Sequence, residues 1–592
     1  MHKTLLLAVP ALAAATLAQD QRKPSDQTRT LQIVPVADLL HHVPLVRPPR
    51  LGRLTGLRGS DDEPRSLLAR GPFRCLESDQ LIELIRTDSR VSDGEADVVR
   101  RGTDLLLTGR AAAVAKLERV VDAIRHTLTR QVVIRGRLLR IDDDTEFPAV
   151  ASPELTAALT AKLPLLWTGS ARAMSGQQVV LGQETFSRYT GSVEVEVAEK
   201  SRIAAPKSVF AFEGIRLLVE NHALVGTTER VLKCQFAIGE RRGEVHELPL
   251  GVRGFPAIGV PEWNSTTGGC SGRVAPEGAL LVTIRGGPAG GSNLLLVVQA
   301  EQPGGQSPTE VAIGNTVIFP VSALTGTSLR RACRLANDDE EADGEGARGA
   351  YPPISTSDEP EDAGEALAEL LRNGLGDELD KSEATIHLLG NGIGTGYLLA
   401  RGSEQLRTAA RRLLTRLQSE WLQNVEVQAI TRLHAAPDSP ATFTPLDQRE
   451  PIGRLYGSTV PCLSGHSALV LQGSESSVVR DWEVEIASKS SIASPVIQPT
   501  FRGMAMAVQV ARRNGALWAE FELLLNHHDT PRRAATGGVD GGFFQHLRAQ
   551  RSQFRHHGEL AHDREQSLGW GSCVRLQSGC ARARQTVRFR KL

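Results

Sequence analysis

The chain has 592 residues, room for about three to five domains with real cores at roughly 100–200 residues per domain. A hydrophobic fraction of 41% and a charged fraction of 23% belong to a folded globular protein and exclude a disordered chain. Sixty-eight basic residues balance sixty-eight acidic ones, which excludes a global electrostatic drive towards nucleic acid or anionic membrane.

The first segment, residues 1–18, reads as a secretory signal peptide. Met1-His2-Lys3 is its positive end, Leu5 to Ala15 is an apolar run broken by Pro10, and Ala13, Ala15 and Ala18 supply the small residues of a cleavage site. The run is shorter than the ~20 residues that a helix needs to cross a bilayer, so an exported mature protein is expected. Seven cysteines at 75, 234, 270, 333, 462, 573 and 580 leave at least one without a partner in the chain. Cys573 and Cys580 are the expected local pair, and no C-x-x-C points to a thioredoxin or zinc ribbon.

Beyond the leader the spacing predicts a strand at Leu31–Val36, a helix at Leu81–Arg86, strands at Asp97–Arg100 and Asp104–Thr108, a helix at Ala112–Leu128 and a strand at Val132–Ile141. Residues 142–301 read as all β, with Leu280–Ile284 and Leu294–Val298 flanking a glycine-rich turn. No paired amphipathic strands of the ~9–11-residue kind that spans a bilayer are legible there.

The same order is then written again. Val193 to Pro206 matches Trp482 to Pro495 at nine of fourteen positions, 289 residues apart, and Gly176, Phe212 and Gly214 fall on Gly465, Phe501 and Gly503 in that register. Upstream, Leu117, Val120, Val121 and Ile124 fall on Ala410, Leu413, Leu414 and Leu417, one apolar helical stripe per copy. LIELIR at Leu81 meets LAELLR at Leu367, and Ile33-Val34-Pro35-Val36 meets Ile318-Phe319-Pro320-Val321. The expected class is therefore α+β: two tandem copies of a small βαββα module followed by a strand-rich module. The boundaries are 30–141 and 142–301 for the first copy, a linker at 302–314, and 315–433 and 434–592 for the second. An acidic stretch at 337–365, with eleven carboxylates and one arginine, is expected as a disordered loop inside the second helix-bearing module.

The opening strand that runs into Val36-Ala37-Asp38-Leu39-Leu40, the helix at Leu81–Arg86, the strand Asp104–Thr108, the helix Val114–Leu128 and the exit strand Gln131–Ile134 resemble the ring-building N-domain of bacterial secretins. Secretins are the outer-membrane gate proteins of secretion and pilus systems. Ser175 to Val219, repeated at Ser464 to Val508, is similar to the secretin stretch that ends in a glycine followed by an alternating strand. The resemblance implies modules that line up between neighbouring subunits as a ring.

Candidate chemistry is sparse. Gly268-Gly269-Cys270-Ser271-Gly272 has the G-x-C-x-G spacing of a nucleophile elbow but lacks the strand and helix that such an elbow joins, so a tight glycine turn is expected. Asn391-Gly392-Ile393-Gly394-Thr395-Gly396 precedes a strand instead of a helix and reads as a hairpin turn, not a phosphate cradle. His527-His528-Asp529, His556-His557 and His562-Asp563 lack zincin spacing and read as loop histidines. Glu194, Glu196, Glu483 and Glu485 are expected on one solvated strand face, with Lys200 and Lys489 as their partners. From His546 to Leu592 ten basic residues face three acidic ones, a local charge excess.

No catalytic, cofactor or metal residues are assigned. The leading expectation is a non-enzymatic, exported envelope protein, a secretin-like oligomerising scaffold of the periplasm or outer membrane. Its expected partners are other copies of itself or other envelope proteins, with no nucleic acid and no small-molecule substrate identified. A soluble periplasmic binding or adaptor protein without a pore is the alternative, and an exported hydrolase using Cys270 or His527 is third.

Overall fold

In the computed structural model the chain is described from Arg29 to Lys591, except for residues 41, 47–54, 58–67, 75–77, 89–90, 92–93, 129–130, 143–144, 199–200, 250–256, 261, 287–292, 303–310, 326–332, 336–353, 357–362, 380–383, 390–395, 436–450, 488–489, 514–515, 529–531, 536–542, 547–548, 561–564 and 577–578. The expected signal peptide lies outside the described residues, as do Lys200, Lys489, Asp529, His562 and Asp563. The described structure is a mixture of α and β in which strands dominate.

Strand β1 (Arg29–Pro35) and, after the short helix Ala37–Leu40 and the strands His42–Val46, Thr55–Leu57 and Leu68–Arg74, helix α1 (Ser78–Asp88), strands β2 (Ala96–Arg101) and β3 (Asp104–Arg110), and helix α2 (Ala111–Leu128) make up the first module. β3 lies between β1 and β2 in an antiparallel sheet. Alternation along the strands sends Val34, Leu105 and Leu107 to one face, where they meet Leu81 and Ile85 of α1 and Leu117, Val121 and Ile124 of α2. The α2 positions are i, i+4 and i+7, so a single stripe of the helix closes this core.

The next section is not all β. After strand β4 (Gln131–Arg140) comes helix α3 (Pro153–Lys162), whose first turn is closed by Ser152 accepting from the Leu155 amide at 3.3 Å, with Pro153 at the first helical position. Then follow β5 (Leu165–Met174), β6 (Gln178–Ala198), β7 (Ser201–Ala223), β8 (Arg230–Arg241), β9 (Trp263–Val274), β10 (Ala279–Arg285) and β11 (Leu294–Glu301). β10 and β11 pair as the expected hairpin.

A second small sheet carries β12 (Thr316–Pro320), flanked by Val311–Ile313 on one side, and after helix α4 (Ala363–Gly374) the strands β13 (Thr385–Leu389) and β14 (Tyr397–Arg401). Its inner face, Val317, Phe319, Leu398 and Ala400, packs on Leu367 and Leu371 of α4 and on Leu406, Ala410 and Leu414 of helix α5 (Glu404–Trp421). The stretch expected as a disordered acidic loop contains the strand Ile354–Thr356, paired with Cys333–Leu335, and its last residues open α4. The β-branched Ile354 and Thr356 favour that local pairing over the acidic composition around them.

Besides the short antiparallel pair Arg532–Ala535 and Phe543–His546, eight long strands complete the described chain: β15 (Asn424–Ala435), β16 (Pro451–Leu463), β17 (Ser467–Ala487), β18 (Ser490–Arg513), β19 (Ala516–His528), β20 (Ala549–Leu560), β21 (Glu565–Leu576) and β22 (Gly579–Lys591). They merge with the earlier strands into two large sheets. The first runs β6-β7-β8-β9-β17-β18-β19-β20 and the second β5-β4-β11-β10-β16-β15-β22-β21. Along these paths each takes four strands from before residue 302 and four from after residue 423, and a ninth, short strand pairs at the side of each, Thr55–Leu57 on β7 and Val150–Ala151 on β10. One core lies between the sheets, with Leu217, Phe236 and Met506 from the first meeting Ile134, Val298, Val427 and Val460 from the second.

The β6–β7 hairpin pairs from Gln178↔Glu220 to Ala198↔Ser201 with a register shift between Thr190 and Ser192. The β17–β18 hairpin pairs from Ser467↔Gln509 to Ala487↔Ser490 with a shift between Val479 and Asp481, each position 289 residues further on. Hairpins of this length were not expected from the sequence. Their lower parts are buried on both faces, as Leu217, Leu218 and Val219 are on β7, so the alternation that betrays a half-buried strand is missing.

Candidate assembly surface

The two small sheets differ on the face turned away from their own helices. In the first, Ile33 pairs with Leu106 and Leu106 with Val99, a row of apolar side chains across the three strands. Ile33 is 60% exposed, Leu31 60% and Val99 49%. In the second sheet the counterparts of Ile33 and Leu106 are Ile318 and Leu399, also paired, and both are buried. They are covered from within the chain: Ile318, Leu389, Tyr397 and Leu399 belong to the same apolar cluster as α1 and α2, and α2 packs on Val311–Ile313. The helical side of the first module therefore sits on the sheet of the second.

The helical sides differ in the complementary sense. Leu84 on α1 is 5% exposed, whereas its counterpart on α4, Leu370, is 37% exposed. Val120 on α2 is buried and its counterpart Leu413 on α5 is half-buried. One apolar sheet face and the outer side of one helical pair are thus left at opposite ends of the same arrangement.

The large sheets are joined in their middle by backbone pairing. β9 pairs with β17 from Trp263↔Glu475 to Gly269↔Leu469, and β10 pairs with β16 from Thr283↔Thr459 to Arg285↔Gly457. Asn424 extends the joint by accepting from the Arg273 amide and donating to the Arg273 carbonyl, both at 2.7 Å. Gln472 donates to the Arg285 carbonyl at 2.6 Å and accepts from Ser458 at 3.2 Å. The ends of the two sheets are β6 and β20, and β5 and β21, so each sheet ends on strands equivalent to those that meet in its joint.

A buried polar group lies beside the second module. Glu220 faces Gln178 on one side, which donates to it at 2.8 Å, and Lys233 on the other. His222 is fully buried 3.5 Å from Glu220, and burial together with the nearby Lys233 ammonium holds its imidazole below the usual range. Gln418 of α5 accepts from the Val225 amide at 3.0 Å and ties the second module to this end of β7.

The residues singled out from the sequence are not gathered into a reactive centre. Gly268 to Gly272 is the middle of strand β9 and not a turn. Its glycines mark close approach, since a Cβ at Gly268 would lie 2.6 Å from the Phe236 ring and one at Gly272 2.5 Å from Leu280. Cys270 is fully buried, and its hydrogen bond with Cys234, followed by desolvation, pushes its thiol well up, the opposite of an activated nucleophile. Gly392–Thr395 lies outside the described residues, and the flanking strands β13 and β14 are antiparallel partners with Leu389 opposite Tyr397.

His527 and His528 are the end of β19, not a loop, and pair with Gln550 and Ala549. His556 and His557, also expected in a loop, lie in β20. His556 stacks on Phe521 at 5.2 Å while His557 meets Trp518 edge-on at 4.4 Å, because neighbours on a strand point to opposite faces. Among the described residues no group of three His, Cys, Asp or Glu could hold a metal ion. Glu194 and Glu196 face Ala205 and Ile203 across β7, and Glu483 and Glu485 face Ser494 and Ile492 in the matching register. The basic C-terminal stretch is not a free end. Val587 and Phe589 of β22 are buried in the core, and Arg590 lies 3.4 Å from the buried Glu426.

No protein-family model matches the chain, and no curated protein matches it. Several solved structures are similar to it, three of which follow. The InvG secretin-domain β-barrel of the Salmonella SPI-1 injectisome is 11% identical over 48% of this chain and 90% of that one, with a TM-score of 0.22. The V. cholerae type IV competence pilus secretin PilQ is 12% identical over 35% and 69%, with a TM-score of 0.19. Aeromonas hydrophila ExeD is 11% identical over 95% and 90%, with a TM-score of 0.18.

Proposed function

We propose that this is a non-enzymatic, exported cell-envelope protein, a secretin-like scaffold that assembles head to tail from copies of itself in association with protein secretion or the outer membrane. The chain is read as two tandem copies of a small βαββα, ring-building-like module and a strand-rich module. The observation that carries the reading is the pair of unmatched surfaces: Leu31, Ile33 and Val99 exposed where Ile318 and Leu399 are covered, and Leu370 exposed where Leu84 is covered. If the module stacking inside the chain is continued between chains, the helical side of one chain's second module covers the sheet face of the next chain's first module. Such a contact joins two different patches, so it repeats until it closes as a ring or runs on as a filament. The sheet ends obey the same logic, since β20 and β21 are the counterparts of β9 and β10, and β6 and β5 those of β17 and β16.

Sedimentation or native mass spectrometry of the chain over a wide concentration range tests this. Species larger than a monomer that dissociate in Ile33→Asp support it, and a monomer at every concentration contradicts it. Fractionation with outer membranes that persists through a high-salt wash would add a membrane-embedded part to the scaffold.

A further inference from the structure

Cys234 on β8 and Cys270 on β9 occupy directly opposite positions of an antiparallel ladder, with their sulfurs 3.2 Å apart. Opposite residues of such a ladder have Cα atoms about 4.5–5.5 Å apart, inside the window of roughly 4.4–6.8 Å that a disulfide requires. Both side chains point into the core between the large sheets, where Cys234 is 1% exposed and Cys270 fully buried. A third buried thiol, Cys462, is on the other sheet and its sulfur is engaged with the carbonyls of Leu463 and His466 at 3.6 and 3.3 Å. The pair expected from sequence proximity is placed less well, since β21 and β22 set Cys573 opposite Arg582 and Cys580 opposite Arg575. In the second half the ladder position equivalent to Val219↔Cys234↔Cys270 is Val508↔Phe521↔His556, so the thiol pair belongs to the first half alone.

We propose that Cys234 and Cys270 form a disulfide in the exported protein, a cross-strand staple that fixes β9, one of the two strands through which the first half of the sandwich joins the second. The bond forms by exchange with an external disulfide of the export compartment, a small-molecule or protein disulfide. The Cys234 thiolate attacks one of its sulfurs and expels a thiolate, giving a mixed disulfide. The Cys270 sulfur, having lost its proton, then displaces the second external sulfur. The chain gains one S–S bond and loses two protons and two electrons, and the external disulfide takes up both as two thiols.

The exchange belongs to folding and not to the closed protein. Once the sheets have closed, burial and the mutual hydrogen bond keep the thiol of Cys270 protonated, and no external disulfide reaches it. By the same burial, a bond already made is out of reach of reductant.

The inference rests on the export part of the proposed function, so the test supplies export independently. A host export leader is fused ahead of the full chain, free thiols are alkylated under denaturing conditions, and the unreduced protein is digested with trypsin. The expected product is the peptide Cys234–Arg241 joined to Gly254–Arg273, which separates on reduction, with Cys462 alkylated. Full alkylation of both Cys234 and Cys270 in the exported, folded chain would overturn the proposal whatever the protein's own leader does. A double variant Cys234→Ala/Cys270→Ala guards against a folding failure. It is expected to melt at the same temperature whether or not dithiothreitol is present during folding, while the parent chain folded with dithiothreitol melts lower than the exported one. Equal melting of the two parent preparations would also contradict the staple.

Discussion

The two small α+β modules place their helices on one face of their sheets in the same way and differ in what lies on the other. In the second module Ile318 and Leu399 are closed off by α2 and its neighbours, and in the first Leu31, Ile33 and Val99 face solvent. A fully buried Ile or Leu is worth about 1.5–3 kcal/mol over an exposed one, so the first module leaves unused a stabilisation that the second already has. The difference teaches that the stacking interface is directional: each module offers a helical side and needs a helical side, and a chain of two leaves one of each unsatisfied.

That comparison can be broken by placing the same charge on both faces. Ile318→Asp puts a carboxylate into a closed apolar interface and is expected to cost about 3–5 kcal/mol, read as a fall in melting temperature. Ile33→Asp should leave the melting of the monomer within about 0.5 kcal/mol of the parent. Equal costs at the two sites would mean that the faces do not differ. On the helical sides, Leu84→Ala should lose about 2–5 kcal/mol as a buried truncation and Leu370→Ala less than about 1 kcal/mol, measured by denaturant unfolding.

Smaller effects sharpen the account of the large sheets. Asn424→Ala removes both hydrogen bonds that Asn424 makes with the Arg273 backbone across the joint. A loss of about 1–3 kcal/mol and faster hydrogen exchange at the Arg273 amide are expected. Unchanged exchange there would show that the joint does not depend on this side chain. The smallest effect is that of pH on His222. Its folded-state pKa lies below its ordinary value of about 6.5, so the unfolded chain binds the proton more readily. The contribution of His222 is therefore complete above about pH 6.5 and is lost as the pH falls through the folded value. Melting temperatures recorded downward from neutral pH should fall less steeply in His222→Gln than in the parent.

Much of this architecture was legible in the residues. The main elements of the first module, β1, α1, β2, β3 and α2, begin and end within two or three residues of the positions that periodicity assigns, because each has one buried face and one exposed one, whereas the short helix Ala37–Leu40 and the strands His42–Val46, Thr55–Leu57 and Leu68–Arg74 lie in a stretch that reads as loop. Helix α3 lies in a section whose composition reads as all β, although Ser152-Pro153-Glu154 carries the start signal of a capped helix. The glycine run at Gly268 reads as a turn, since the sequence cannot show that Phe236 and Leu280 press on a strand from its neighbours. The merging of both halves into two shared sheets was not readable either. It depends on β9 meeting β17 and β10 meeting β16, pairings between segments about 200 residues apart for which no local pattern exists. The candidate surface was half legible: the alignment of Ile33 with Ile318 was in the sequence, but not which of the two is covered.

The most direct test mixes two damaged chains. Ile33→Asp loses the sheet face that receives a helical side and keeps its own helical side, whereas Leu370→Asp does the reverse. Head-to-tail assembly predicts that each variant alone fails to form large species and that a one-to-one mixture gives a dimer of one chain of each kind, with no growth beyond it, by native mass spectrometry. Large assemblies in either variant alone, or two monomers that ignore each other in the mixture, would contradict the account.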